Sequence, residues 1–237
     1  MHLKSFNPQK STGFTLIELL IGLTLGLMVI ASTLTLYVIT TRSSSDLLHS
    51  TRLNHDLETI MQIMTHDIRR AGYQDFPPSV ISDLKIDDSG SYLDACILYR
   101  YYDDHDDDPT EHKIKYYGFK RKENSIALSQ SDTYFACDSN NWEKISEDNV
   151  TQITQLTFSD AESQCFNATS TSTGLCKTPA NTGVDDIASP GDNMTKISHI
   201  TITLSGALVQ DPNVTKLLEA KVTVANHRIY CKGQPAC

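Results

Sequence analysis

The chain has 237 residues, 39% of them hydrophobic and 21% charged, which fits a folded protein of one ordinary domain plus a long extra element rather than a disordered one. Its formal net charge of −9 excludes a broad phosphate-binding surface, which needs basic patches, so no nucleic-acid partner is expected.

Residues 1–13, MHLKSFNPQKSTG, are short, polar and basic. Their charged residues are Lys4 and Lys10, so the chain without them is two charges more negative. An apolar segment follows, and from Leu19 to Thr41 no residue is charged. As a helix those positions span about 35 Å, against a hydrocarbon core of about 30 Å. Lys4 and Lys10 before the segment hold the N-terminus in the cytoplasm and export the remainder. A secretory signal peptide has a shorter apolar region ending at a small-residue cleavage site, and no such site follows here.

Glu18 breaks the reading of this segment as a plain signal or anchor. An ionised carboxylate in lipid costs about 3 kcal/mol and marks a functional residue. It needs a cationic partner, and the nearest candidate is an α-amino group created by cleavage before Phe14. In a bundle of helices, Glu18 would pair with the Phe14 amine of its own or a neighbouring subunit and set their axial stagger. Gly22 and Gly26 form a GxxxG spacing in the same run, a pattern that permits close helix approach.

No proline occurs between Phe14 and Phe76. Beyond the span an apolar stripe continues through Leu53, Leu57, Ile60, Met61, Met64, Ile68 and Ala71, at helical steps. Arg69 and Arg70 suit a helix C-terminus, Gly72 suits the position after it, and Pro77 with Pro78 prevents continuation. The spacing predicts one helix from Phe14 to about Ala71. His49, His55 and His66 lie on it, none four residues from another, so they make no two-histidine metal face.

After Pro78 the period changes. Ile97–Tyr102, Lys113–Lys120, Ser125–Leu128, Tyr134–Cys137, Val150–Phe158, Ile197–Leu204 and Glu219–Ile229 have strand patterning. The expected class is α+β: one long N-terminal helix, its second half packed on a C-terminal antiparallel sheet. The expected organisation is a leader over 1–13, a membrane and assembly half over 14–41, an amphipathic half over 42–72 and a β-rich domain over 73–237. The longest connection, Ser159 to Thr195, reads as a polar loop, functional or mobile.

Six cysteines, Cys96, Cys137, Cys165, Cys176, Cys231 and Cys237, all lie in the β-rich part. An even number beside an export segment points to disulfides in an oxidising compartment, rather than to free cytosolic thiols. Six allow 15 pairings; the expected set is Cys96–Cys137, Cys165–Cys176 and Cys231–Cys237. There is no CxxC, which argues against zinc. The run Asp103 to Asp108 places Asp104, Asp106 and Asp108 at the opening spacing of a calcium loop, the one cofactor to weigh. The pattern then fails at Pro109 and Lys115, which favours a solvated hairpin tip. The Asn-x-Thr triplets at Asn149, Asn167, Asn193 and Asn213 read as threonine-rich surface. Nucleophile elbows, phosphate loops and HExxH are absent, so no enzyme is expected.

The stretch GFTLIELLIG, with Gly13 before Phe14 and Glu18 four residues on, resembles the type IV prepilin signature. That resemblance implies cleavage between Gly13 and Phe14 by a prepilin peptidase, which N-methylates Phe14. Major pilins often carry a proline in this helix; this chain has Thr35 near that place, which favours a minor subunit. MTHDIRRAGY, from Met64 to Tyr73, resembles the helix end of PilW-type minor pilins. The resemblance implies an inner-membrane subunit with its C-terminal domain in the periplasm, extracellular once assembled. It implies as partners other minor pilins, the major pilin, the inner-membrane assembly platform and a tip adhesin. The roles it implies are priming or capping a pilus in adhesion, twitching motility or DNA uptake. The alternatives are a J-like minor pseudopilin of type II secretion and a tip adhesin whose Ser159–Thr195 loop binds a ligand.

Overall fold

The computed structural model describes residues 13–73, 84–87, 95–103, 113–177, 183–224 and 228–232. Helix α1 spans Leu16–Arg69. Its residues up to Leu48 form one compact unit, and the chain from His49 onward forms a second. The expected start at Phe14 and end at Ala71 each shorten by two residues, because both ends are capped rather than frayed.

Among the described residues, the second unit holds three antiparallel sheets. The first orders β1 (Lys85–Asp87), β2 (Cys96–Asp103), β3 (Lys113–Lys122), β4 (Ser125–Ser131) and β5 (Glu143–Lys144) as a meander. A second sheet places β10 (His199–Leu208) between β6 (Thr151–Ser159) and β11 (Thr215–Thr223). The third has the order β12-β9-β7-β8, from Arg228–Cys231, Asn193–Ile197, Gln164–Asn167 and Ser172–Leu175. A one-turn helix α2, Val184–Ile187, packs on β7 and β8.

The expected helix stripe is the spine of the core. Leu53, Leu57, Ile60, Met61, Met64, Ile68 and Ala71 are all buried. They pack in one cluster with Ile97, Tyr99, Phe119 and Ile126 of the first sheet and Ile153, Leu156, Ile200, Ile202 and Leu204 of the second. Alternation along β10 sends Ile200, Ile202 and Leu204 inward and leaves Thr201 and Thr203 on the outer face. The core face of both sheets is thus specified by period two, and the helix stripe by period 3.6.

Three expectations are corrected. Tyr134–Cys137 is not a strand: Phe135 packs edge-on against Trp142, with ring centroids 5.6 Å apart, and Cys137 bonds to Cys96. Side-chain anchoring holds that segment where ladder hydrogen bonds were expected. Glu219–Ile229 is not one strand but parts of β11 and β12, which lie in different sheets. The polar connection from Ser159 to Thr195 is no open loop; it folds into β7, β8, α2 and β9. Its small core is Cys165, Cys176, Val184 and Met194, with Cys165 disulfide-bonded to Cys176. Short strands closed by a disulfide carry too few apolar residues to register as a periodic pattern.

Gly118 in β3 shows how tightly the outer side of the first sheet is packed. A Cβ there would lie 2.9 Å from the Ile97 carbonyl oxygen, 2.9 Å from the Trp142 ring and 2.7 Å from the Leu98 side chain. Gly118→Ala is therefore expected to destabilise the chain by about 1–3 kcal/mol, despite the better strand propensity of alanine. Urea unfolding followed by Trp142 fluorescence measures this; an unchanged midpoint would contradict it.

Candidate functional site

Gly13, Phe14 and Thr15 precede the helix in non-helical backbone, and Phe14 is 86% exposed. Thr15 and Glu18 then make a reciprocal capping box. The Glu18 N–H donates to Thr15 Oγ1 at 3.3 Å. The Thr15 N–H donates to Glu18 Oε2 at 3.4 Å, and the Thr15 hydroxyl donates to the same oxygen at 3.3 Å. The carboxylate thus lies at the positive end of the helix dipole, bonded to the N–H of the residue that follows Phe14. Sequence reasoning singled out Glu18 and passed over Thr15, although T-x-x-E before an apolar run is a capping signal.

The helix beyond this box is long and apolar enough to cross a membrane. An 18-residue window within α1 reaches a mean hydropathy of 2.2. Each of its serine and threonine hydroxyls from Thr24 to Thr41 bonds back to a carbonyl of the preceding turn: Thr24 to Ile21, Ser32 to Val29, Thr33 to Val29 and Ile30, Thr35 to Ala31, Thr40 to Leu36, and Thr41 to Tyr37 and Val38. These bonds satisfy the hydroxyl donors within the helix itself. Gly22 and Gly26 share one helix face, and a Cβ at either position would meet no atom within 4 Å. Among the described residues nothing packs against these two positions.

At the other end of α1, the MTHDIRRAGY segment clasps the helix to the first sheet. Met64, Ile68 and Ala71 are buried. Asp67, on the flank of that stripe, accepts hydrogen bonds from the hydroxyls of Tyr99 and Tyr101, the latter at 2.9 Å. The Tyr101 ring stacks on Tyr117 with centroids 4.2 Å apart. The Arg70 guanidinium lies 4.2 Å from the Tyr101 ring centroid and donates to its hydroxyl at 3.3 Å. Burial first, and then the neighbouring Asp67 and tyrosine hydroxyls, push the Tyr99 and Tyr101 phenols well above their ordinary pKa. Gly72 adopts a φ of 75°, a left-handed conformation that ends the helix, and its N–H donates to the Arg100 carbonyl at 2.8 Å. The Tyr102 N–H in turn donates to the Tyr73 carbonyl at 2.8 Å.

A groove of about 550 Å³ lies beside the clasp, lined by Gln62, Ile63, His66, Asp67, Tyr101 and Tyr117 among others. Tyr101 and Tyr117 are only 3% and 6% exposed, whereas Ile63 on the helix side of the groove is 44% exposed, so the groove is more apolar than polar. Asp104, Asp106 and Asp108 lie outside the described residues, between strands that pair as far as Asp103↔Lys113. Among the described residues no three His, Cys, Asp or Glu side chains form a metal-binding group. Cys96 bonds to Cys137 and Cys165 to Cys176, the two internal pairs expected from the sequence. Cys237 lies outside the described residues, so the expected Cys231–Cys237 pair does too.

Two family models match the chain. The prokaryotic N-terminal methylation motif matches residues 8–34, the segment that contains the capping box. The prepilin peptidase-dependent protein B family matches residues 46–224, most of the chain and nearly all of the second unit. The chain belongs to the prepilin peptidase-dependent protein B family. Comparison with curated proteins gives no match, and comparison with solved structures gives none. This protein B family member is thus a minor-pilin-like protein that depends on prepilin peptidase and carries the methylation motif, of a kind whose members are typically structural subunits rather than enzymes. Its N-terminal apolar helix, with that motif, is consistent with an inner-membrane prepilin.

Proposed function

We propose that the protein is a minor type IV pilus subunit of the PilW kind. Prepilin peptidase cuts it between Gly13 and Phe14 and methylates the Phe14 nitrogen. Residues 14–41 then hold it in the inner membrane with the β-rich domain in the periplasm. Glu18 meets the Phe14 amine of an adjacent subunit, and Gly22 with Gly26 admits that subunit's helix closely. Together with other minor pilins the protein primes or caps the filament, in contact with the major pilin, the assembly platform and a tip adhesin.

The observation that supports the PilW assignment is the clasp. Five residues of MTHDIRRAGY take part: Ile68 and Ala71 in the core, Asp67 and Arg70 on Tyr101, and Gly72 on the Arg100 carbonyl. A motif that fixes the end of the assembly helix to the sheet suits a subunit whose domain must follow its helix into the filament.

Replacing Gly13 with a bulky residue is expected to abolish leader removal. Intact mass of the chain from membranes checks it, and a chain beginning at Phe14 in that variant would sink the cleavage assignment. A second reading, a J-like pseudopilin, fits the same helix-first architecture. Gene deletion separates the two: loss of surface pili supports the pilus subunit, and loss of protein secretion with intact pili supports the pseudopilin. For the tip-adhesin reading, deleting Ser159–Thr195 does not discriminate, because it removes β7, β8 and part of β9 from the third sheet. Substituting the exposed Phe166 and Leu175 on that sheet is the cleaner probe.

A further inference from the structure

We propose that Thr15 is a positioning residue for assembly: its hydroxyl fixes one oxygen of the Glu18 carboxylate and leaves the other for a second subunit's amine. The proposal rests on the reading above, that Glu18 pairs with an amine freed at Phe14.

Both bonds from Thr15 end on Oε2, one from the backbone N–H and one from the hydroxyl. Among the described residues Oε1 accepts no hydrogen bond. A carboxylate has acceptor sites on both oxygens, so this arrangement divides its work. Oε2 closes the helix that carries it, and Oε1 carries none of these bonds. The division also answers how Glu18 is accommodated before cleavage, when no amine exists at Phe14. In the uncut chain the capping box supplies its partners; an acid without them would be costly at the membrane.

Hydrolysis adds one water across the Gly13–Phe14 bond. The hydroxyl goes to the Gly13 carbonyl carbon, the C–N bond breaks, and the Phe14 nitrogen takes a proton and leaves as the amine. Cleavage leaves Thr15 in the chain, so the capping box persists and the carboxylate is already aimed when a neighbour's amine arrives. Without the hydroxyl, Glu18 retains its charge but loses a fixed direction, and the amine must compete with the side chain's other rotamers.

The test uses the full chain in cells with prepilin peptidase and the pilus machinery. Thr15→Val keeps the shape and removes the hydroxyl; Thr15→Ser keeps the hydroxyl. The readout is the amount in sheared filaments divided by the mature chain in membranes, so differences in expression cancel. The expected result is normal leader removal in both, at least fivefold lower incorporation for Thr15→Val, and incorporation near the parent level for Thr15→Ser. Parent-level incorporation of Thr15→Val would overturn the proposal. Equal losses in both variants would overturn it too, since the hydroxyl would then not be the cause. A block of leader removal in Thr15→Val would also count against it, because the residue is assigned to the step after cleavage. Leader removal persisting in the Gly13 variant would instead defeat the underlying cleavage reading.

Discussion

Asp67→Ala is expected to lower the stability of the β-rich domain by about 3–5 kcal/mol. The Tyr99 and Tyr101 hydroxyls both donate to this carboxylate, and both rings are buried, at 1% and 3% exposure. Removing the acceptor takes a buried partner from each phenol, at about 1–3 kcal/mol apiece, the larger share falling on Tyr99 because Tyr101 keeps Arg70 and Tyr117. For a domain of this size the loss corresponds to a fall in Tm of about 6–20 °C. Thermal unfolding of the detergent-solubilised full chain, followed by near-UV circular dichroism, measures it; a change below about 1 °C would contradict the clasp. Asp67→Asn keeps one carbonyl acceptor and should lose less. The same cluster sets an alkaline limit. Both phenols are raised above the ordinary 10.0 by burial and by Asp67. The protonated form is therefore favoured in the folded chain, and this contribution is complete below about pH 10. Above that, unfolded tyrosines ionise first and stability falls as pH rises. The double variant Tyr99→Phe, Tyr101→Phe should flatten that decline.

Glu18→Val is expected to leave leader removal largely intact and to lower incorporation into sheared filaments at least tenfold. Two losses combine in this variant. The capping box disappears, and with it the reciprocal bonds to Thr15. The charge that would meet a neighbour's Phe14 amine disappears as well, in surroundings where a Coulomb attraction is weakly screened. Tenfold corresponds to about 1.4 kcal/mol, a small share of what such a pair supplies in a low dielectric. Glu18→Gln divides the two losses, because glutamine completes a capping box and carries no charge. It should be cleaved and still fail to assemble. Incorporation of Glu18→Gln at the parent level would show that the charge is dispensable, and the stagger would then need another cause.

What the sequence alone determined is what repeats over short distances. The apolar run from Leu19 to Thr41 and the stripe from Leu53 to Ala71 follow from helix geometry, and the stripe is buried at every named position. The strands β3 and β10 follow from alternation in KIKYYGF and HITITL. Half of the N-terminal site was equally legible: Glu18 stands out because a charge in an apolar run is costly, whereas Thr15 matters only through the bond it makes. Tertiary structure alone decided which partners meet across long separations. Asp67 reaches tyrosines 32 and 34 residues away, and no local period encodes that. It also decided that the polar stretch after Ser159 folds, because a disulfide between Cys165 and Cys176 replaces the apolar pattern that would have announced its strands. Periodicity reports the face a residue presents; only the packed chain brings two faces together.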